Sequence, residues 1–254
     1  MTTTALITFC HPPRYAEKLH RPGVLRAMVG SHHWLFDDVV VIHNQCKAAD
    51  YQPFDVPVRT VDLPREEFDP LMERWGVDPH NETFHELTHG EGAAHWYVVH
   101  VVNHLRGLEA TDTDYIVFAD CDTHMKRQPE GQPWIHVGIA ILQNKPEVLI
   151  VSPGDGGQVG GSSAEGGQWS DGTRLTRNVS QQLFLCRAKE FKSQVNLDVP
   201  WNGEFDAPGG PLQEWYAMLE GRMGRYMETS GQWRAILPDA WRYWHDSYWG
   251  NDVA

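Results

Sequence analysis

Cysteine is scarce in this 254-residue chain: Cys10, Cys46, Cys121 and Cys186 stand far apart, with no C-x-x-C pair among them. That spacing excludes a redox or zinc pair and the dense disulfide framework of a small secreted domain, and it fits reduced thiols in a cytoplasmic protein. Basic charge is also in deficit. Lys and Arg number 21 against 34 Asp and Glu, a formal net charge of -13, so the summed field opposes partners held mainly through phosphates, such as nucleic acid or an anionic membrane. The opening Met1-Thr2-Thr3-Thr4 has no basic n-region and leads to no long apolar run, so neither a signal peptide nor a membrane span is expected. No internal repeat is present.

What is there describes an ordinary globular chain: 41% apolar and 22% charged residues, with 11 Trp available for a core or a ligand surface. The length suits one α/β domain. Thr4 to Cys10 is a short apolar β-rich run closed by His11-Pro12-Pro13, and helical spacing of Leu25, Met28 and Val29 predicts a helix within Tyr15 to Trp34. Val39 to Ile42 is a continuous apolar stretch of the kind buried on both faces in a parallel sheet, and Val58 to Leu63 predicts a third strand. Residues 64 to 92 carry no clear period. From Ala93 to Leu108 the set Ala94, Val98, Val101, Val102, Leu105 and Leu108 predicts a helix, with His100 and His104 on a polar face. Strand Tyr115 to Ala119, helix Trp134 to Leu142, strand Val148 to Val151, strand Leu183 to Cys186, helix Leu212 to Met223 and an aromatic tail complete the reading. Strands alternating with helices predict an α/β fold with a doubly wound, mostly parallel sheet. Ser152 to Gly172 is rich in Gly and Ser and too polar to bury, which predicts a functional loop.

The chemistry concentrates at Asp120-Cys121-Asp122. A bare D-x-D is common, and a second copy stands at Asp112 and Asp114. Position separates them: Asp120 and Asp122 follow directly on a buried strand, where open α/β sheets bind ligands, whereas Asp112 and Asp114 precede it. Carboxylates at alternate positions converge on one hard cation as a strand opens into a turn, and Mg²⁺ or Mn²⁺ takes few carboxylates together with phosphate oxygens. A solvated acidic turn is the bland alternative.

With Arg14 after the first strand, Asp37-Asp38-Val-Val-Val-Ile-His-Asn44 at the second, and Tyr-Ile-Val-Phe-Ala-Asp120-Cys-Asp122 at the fourth, the first 150 or so residues resemble the GT-A glycosyltransferases. The resemblance implies a Rossmann-type sheet with helices on both faces in a single GT-A-like domain. Residues 1–150 would form a nucleotide-sugar donor half, 151–180 a flexible Gly-rich loop that closes as a lid, and 181–254 an acceptor half. It implies that Thr8, Arg14, Asn44, Asp62 and His95 line a UDP- or GDP-sugar pocket with Asp120. It further implies that Asp120, Asp122 and His245 hold Mn²⁺ or Mg²⁺, and that Glu214 serves as general base to a hydroxyl acceptor, be it a glycan, a small molecule or a modified nucleic acid. Residue by residue a structural reading stays open: Arg14 as a surface charge, Asn44 as a cap, Asp62 as a turn residue, Glu214 as a first-turn acid and His245 as one hydrogen-bonded His in an aromatic tail. A family acidic pair is replaced here by Gln213-Glu214.

A rival signature is present. His85-Glu86-Leu-Thr-His89-Gly-Glu-Gly92-Ala-Ala-His95 fits H-E-x-x-H-x-x-G-x-x-H, the zinc motif of metzincin proteases, with Met125 downstream. That motif needs a long helix before the Gly, whereas Pro79 leaves a short run there and the strongest helical period begins at Ala93. Asp120-Cys-Asp122-Thr123 also resembles the nucleophile strand of haloacid dehalogenase-type phosphohydrolases, whose Thr falls one place later. A nucleotide-sugar binder without turnover uses the same carboxylates.

Overall fold

A computed structural model of the chain describes residues 2–10, 13–76, 93–154, 166–180, 182–194 and 219–245, and for Arg14, His95 and His245 it describes the backbone path alone. The first strand, β1 (Thr4–Cys10), is buried throughout. It leads to α1 (Pro13–Leu19) and α2 (Val24–Ser31), so the helix expected between Tyr15 and Trp34 is two. Pro22 falls between them, where a continuous helix would lose an N–H and meet a ring clash, and Gly23 turns the chain at φ 85°.

There follow β2 (Asp38–Asn44), β3 (Arg59–Leu63), α3 (Phe68–Arg74), α4 (Ala93–Ala110), β4 (Tyr115–Asp120) and β5 (Thr123–Arg127). The second half holds α5 (Trp134–Asn144), β6 (Val148–Ser152), β7 (Arg174–Thr176), β8 (Leu183–Arg187), α6 (Ala188–Gln194), α7 (Leu219–Ser230), β9 (Trp233–Ile236) and β10 (Arg242–His245). The helix expected from Leu212 to Met223 falls partly outside the described residues, and its described part continues to Ser230. The tail read as merely aromatic contains β10, and most of the Gly-rich stretch lies outside the described residues.

Eight strands form one sheet in the order β3-β2-β1-β4-β8-β6-β9-β7. The expected architecture is present: β3, β2, β1 and β4 run parallel, β6 and β9 share their direction, and β8 and β7 oppose it. Side chains alternate between two cores. Ile7, Phe9, Val40, Ile42, Ile116 and Phe118 pack on one face beneath α3, α4, α6 and α7. Leu6, Cys10, Val41, Val117 and Ala119 pack on the other beneath α1, α2 and α5.

The order of connections positions the site. From β1 the chain passes through α1 and α2, on one face, to β2 and then β3. It returns through α3 and α4, on the opposite face, to β4 on the other side of β1. Right-handed crossovers that run in opposite senses across the sheet lie on opposite faces, so their loops part at the carboxyl ends of β1 and β4, the place where open α/β sheets bind ligands.

His104 departs from its expected polar face. It is fully buried, 5.0 Å from the Phe9 ring and 4.8 Å from Phe118 between centroids. Position 104 falls on the same helical stripe as Val101, Leu105 and Leu108, and the stripe decides burial. Gly107 lets α4 approach the sheet closely: a Cβ there would stand 2.8 Å from Ile7 Cγ2 and 3.0 Å from Phe118 Cε1. Gly107→Leu is therefore expected to destabilise the fold by about 1–3 kcal/mol despite leucine's better helix propensity. A urea titration checks this, and an unchanged midpoint would show that the helix–sheet contact is loose.

Candidate functional site

Asp120 is the last residue of β4, and the turn Cys121-Asp122 separates it from β5. Its N–H donates to Gln182 O at 2.8 Å, which fixes the strand end against the start of β8. Asp120 and Asp122 are only 9% and 6% exposed, so two carboxylates share a largely dehydrated turn at the carboxyl end of β4. Their field is felt by the residue between them: burial first, then Asp122 and Asp120, push the Cys121 thiol well above its ordinary value. Concentrated negative potential over hard oxygen donors fits a divalent cation of the Mg²⁺ or Mn²⁺ type. Among the described residues no three His, Cys, Asp or Glu side chains converge as a closed metal cage. Two carboxylates suffice for a cation that keeps water and phosphate ligands.

The backbone brings His245 to this place. Strands β5 and β10 form an antiparallel ribbon in which His245 partners Thr123, the residue after Asp122. The ribbon is hooked to the main sheet by Gly154, which follows β6: Gly154 N donates to Trp241 O at 2.7 Å and Tyr243 N donates to Gly154 O at 3.2 Å. A Cβ at Gly154 would stand 3.1 Å from Trp241 O and 3.3 Å from Leu237 O, main-chain atoms that cannot swing aside. The Tyr243 hydroxyl reaches Gln182 Oε1 at 3.1 Å.

The other expected residues line the same edge. Thr8 lies on β1 between Val41 and Ala119, fully buried. Asn44 ends β2, and its Nδ2 donates to Asn103 Oδ1 on α4 at 2.7 Å. Asp62, on β3 opposite His43, accepts the Ala48 N–H at 2.9 Å and so ties down the loop after β2. Arg14 stands in the first turn of α1, beyond the carboxyl end of β1, and His95 in the first turn of α4. Because α4 feeds β4 at its amino end, its own start faces the carboxyl edge of the sheet. Thr8 Oγ1, Asn44 Oδ1 and Thr123 Oγ1 are buried oxygens without a hydrogen-bond partner among the described residues. Such groups are rare in folded proteins unless water or a ligand meets them. Glu214, and the His85, Glu86 and His89 of the zinc-type signature, lie outside the described residues.

Beside these residues stands a histidine pair. His20 Nε2 and His43 Nε2 are 2.8 Å apart, and His20 Nδ1 meets Gln52 O at 2.6 Å. A carbonyl only accepts, so His20 carries its proton on Nδ1 and accepts from His43 Nε2–H. Burial, then the neighbouring His20, lowers His43 to about 4.

The second D-x-D is structural. Asp114, at the amino end of β4, accepts from Thr3 N at 2.8 Å and Thr3 Oγ1 at 3.1 Å. Arg187, at the end of β8, pairs with Glu190 and donates to the carbonyls of Leu142 and Val148. Sequence reasoning missed Gln182 and Gly154, and it read Tyr243 only as one of the tail aromatics that could shield the site, although the alternation Arg242-Tyr243-Trp244-His245 carries the period of a strand. No helix among the described residues is long and apolar enough to cross a membrane.

No protein-family model matches this sequence, and no curated protein matches it. Among solved structures the chain is similar to glucosyl-3-phosphoglycerate synthase from Mycobacterium tuberculosis in complex with Mn²⁺, uridine diphosphate and phosphoglyceric acid. That match has 15% identity and a TM-score of 0.44, and covers 97% of this chain and 72% of that one. The same enzyme with Mg²⁺ and uridine diphosphate matches at 17% identity and TM-score 0.45, over 97% and 72% of the two chains. Mannosyl-3-phosphoglycerate synthase from Rubrobacter xylanophilus matches at 13% identity and TM-score 0.34, over 75% of this chain and 55% of that one.

Proposed function

We propose that this chain is a metal-dependent glycosyltransferase of the GT-A type, transferring a sugar from a UDP- or GDP-linked donor to a hydroxyl acceptor. The observation that supports it most is the position of the D-x-D carboxylates, at the carboxyl end of β4 and beside the point where the sheet reverses its winding. Ligands of open α/β sheets bind at such switch points.

In this reading Asp120 and Asp122 hold Mn²⁺ or Mg²⁺, and His245 completes the set from the facing ribbon. The cation, when bound, offsets the charge that builds on a departing nucleoside diphosphate. Thr8, Arg14, Asn44, Asp62 and His95 surround the nucleotide along the carboxyl edge, with the start of α4 directing its unbonded N–H groups toward the diphosphate. Residues 1–150 then form the donor half and 181–254 the acceptor half. Glu214 takes the proton from the acceptor hydroxyl if the anomeric centre is inverted. The buried turn limits water near the donor, so transfer outruns hydrolysis.

A panel of nucleotide-sugars with Mn²⁺, read by thermal shift and by nucleoside diphosphate release with and without acceptor mixtures, tests this reading. The expected outcome is a rise in the unfolding midpoint for UDP- or GDP-sugars that requires the metal, with diphosphate released on turnover. Midpoints that no donor moves would contradict it, and zinc-dependent casein cleavage lost in Glu86→Ala would put the protease in its place.

A further inference from the structure

Gln182 touches both sides of the candidate cation site. It immediately precedes β8, whose first residue, Leu183, partners Ala119. Its carbonyl accepts the Asp120 N–H at 2.8 Å, and its side-chain Oε1 lies 3.1 Å from the Tyr243 hydroxyl. Tyr243 is 1% exposed, on β10, two positions before His245. Since the ribbon of β5 and β10 is a separate two-stranded sheet, its stance relative to the end of β4 is not set by the main ladder. Its ties to the rest of the fold include the Gly154 backbone hook, the Met125 N–H donated to Ser31 Oγ at 3.0 Å, and the Tyr243–Gln182 hydrogen bond. The hook fixes the root of β10 near Arg242, through the bridge between Gly154 and Arg242. The hook also holds the Tyr243 N–H, and the side-chain bond ties the Tyr243 hydroxyl to Gln182, whose carbonyl accepts the Asp120 N–H.

We infer that Gln182 and Tyr243 are positioning residues that set the distance between the Asp120 and Asp122 carboxylates and β10, and thereby tune cation affinity. This rests on the proposed function. A carboxylate pair that keeps open coordination positions depends on the surrounding shell for its geometry, and groups that orient ligands change metal affinity without touching the metal. Breaking the bond removes one tie between β10 and the residue whose carbonyl accepts the Asp120 N–H.

The test is Mn²⁺ binding to the full chain, read by the loss of the free-ion electron paramagnetic resonance signal, alone and with saturating UDP. Tyr243→Phe keeps the ring and the packing, and it is expected to weaken Mn²⁺ by about five- to tenfold, the range of one hydrogen bond. Gln182→Met should do the same, and the double variant should be no weaker than either single one, since each breaks the same link. An unchanged Mn²⁺ affinity in Tyr243→Phe and Gln182→Met, alongside a wild type that binds, would overturn the inference and leave the proposed function standing. If the wild type itself binds no Mn²⁺, both fall. Fully additive losses would also overturn it, because the two side chains would then act independently.

Discussion

Replacing Asp122 by Asn is expected to abolish Mn²⁺-dependent stabilisation by UDP- or GDP-sugars and to lower transfer by on the order of a hundred- to thousandfold. The variant preserves shape, exchanges one acceptor oxygen for an NH₂ donor, and removes one of two charges in a turn where both carboxylates are over nine-tenths buried. Without the cation those charges repel at low effective dielectric, so the metal-free variant should be at least as stable as the wild type. Loss of function without loss of fold separates a metal ligand from a structural acid. Asp112→Asn is the matched control: it lies at the amino end of β4 and should leave both readouts unchanged. A wild-type response in Asp122→Asn would leave the carboxyl end of β4 without a role. Saturating donor, at about a hundred times its dissociation constant, should stabilise the wild type by about 2.7 kcal/mol, a shift the variant lacks.

Acid should unfold this protein earlier than its carboxylates require. His43 is held neutral by burial and by His20, at about 4, and His32 by burial and then by His124 and His33, at about 3. His32 Nδ1 accepts from Trp134 Nε1 at 3.0 Å, a bond that only the unprotonated nitrogen makes. In the unfolded chain both titrate near the ordinary histidine value of about 6.5. Their folded values are depressed, so their contribution to stability is complete above that pH and is lost as pH falls toward 4. By pH 5 the unfolded state has gained two protons that the native state refuses, a loss of about 4 kcal/mol. His20, also lowered by burial, acts in the same direction. Urea midpoints between pH 7.5 and 4.5 check this, and His32→Gln should remove about one proton from the slope if it folds, as should His43→Gln. A flat profile above pH 5 would mean that these rings reach water.

The architecture of the first half of the chain was legible because it is local. A continuous apolar run such as Val39 to Ile42 reads as a strand buried on both faces, and carboxylates directly after a similar run at Tyr115 to Ala119 are placed by the run itself. Thr8, Asn44 and Asp62 fall on one edge because β1, β2 and β3 are parallel and in sequential order. What stayed hidden depends on long-range pairing. Strand β5 is short and half polar, and it becomes a strand only when β10, over a hundred residues later, pairs with it. Tyr243 and Gln182 meet across 61 residues, so no local pattern announces their bond. His104 was misread in the other direction: a polar residue on an apolar stripe follows the stripe. The split between α1 and α2 was available from Pro22, a local signal that outweighs the apolar spacing on either side.

The central claim is that the mouth of β4 holds a divalent cation against a nucleoside diphosphate. Anomalous diffraction from crystals soaked in Mn²⁺ and UDP measures it most directly. One manganese peak between the Asp120 and Asp122 carboxylates, bridged to diphosphate oxygens and facing His245, is the predicted result. A peak elsewhere, or diphosphate bound with both carboxylates turned away from it, would contradict the account.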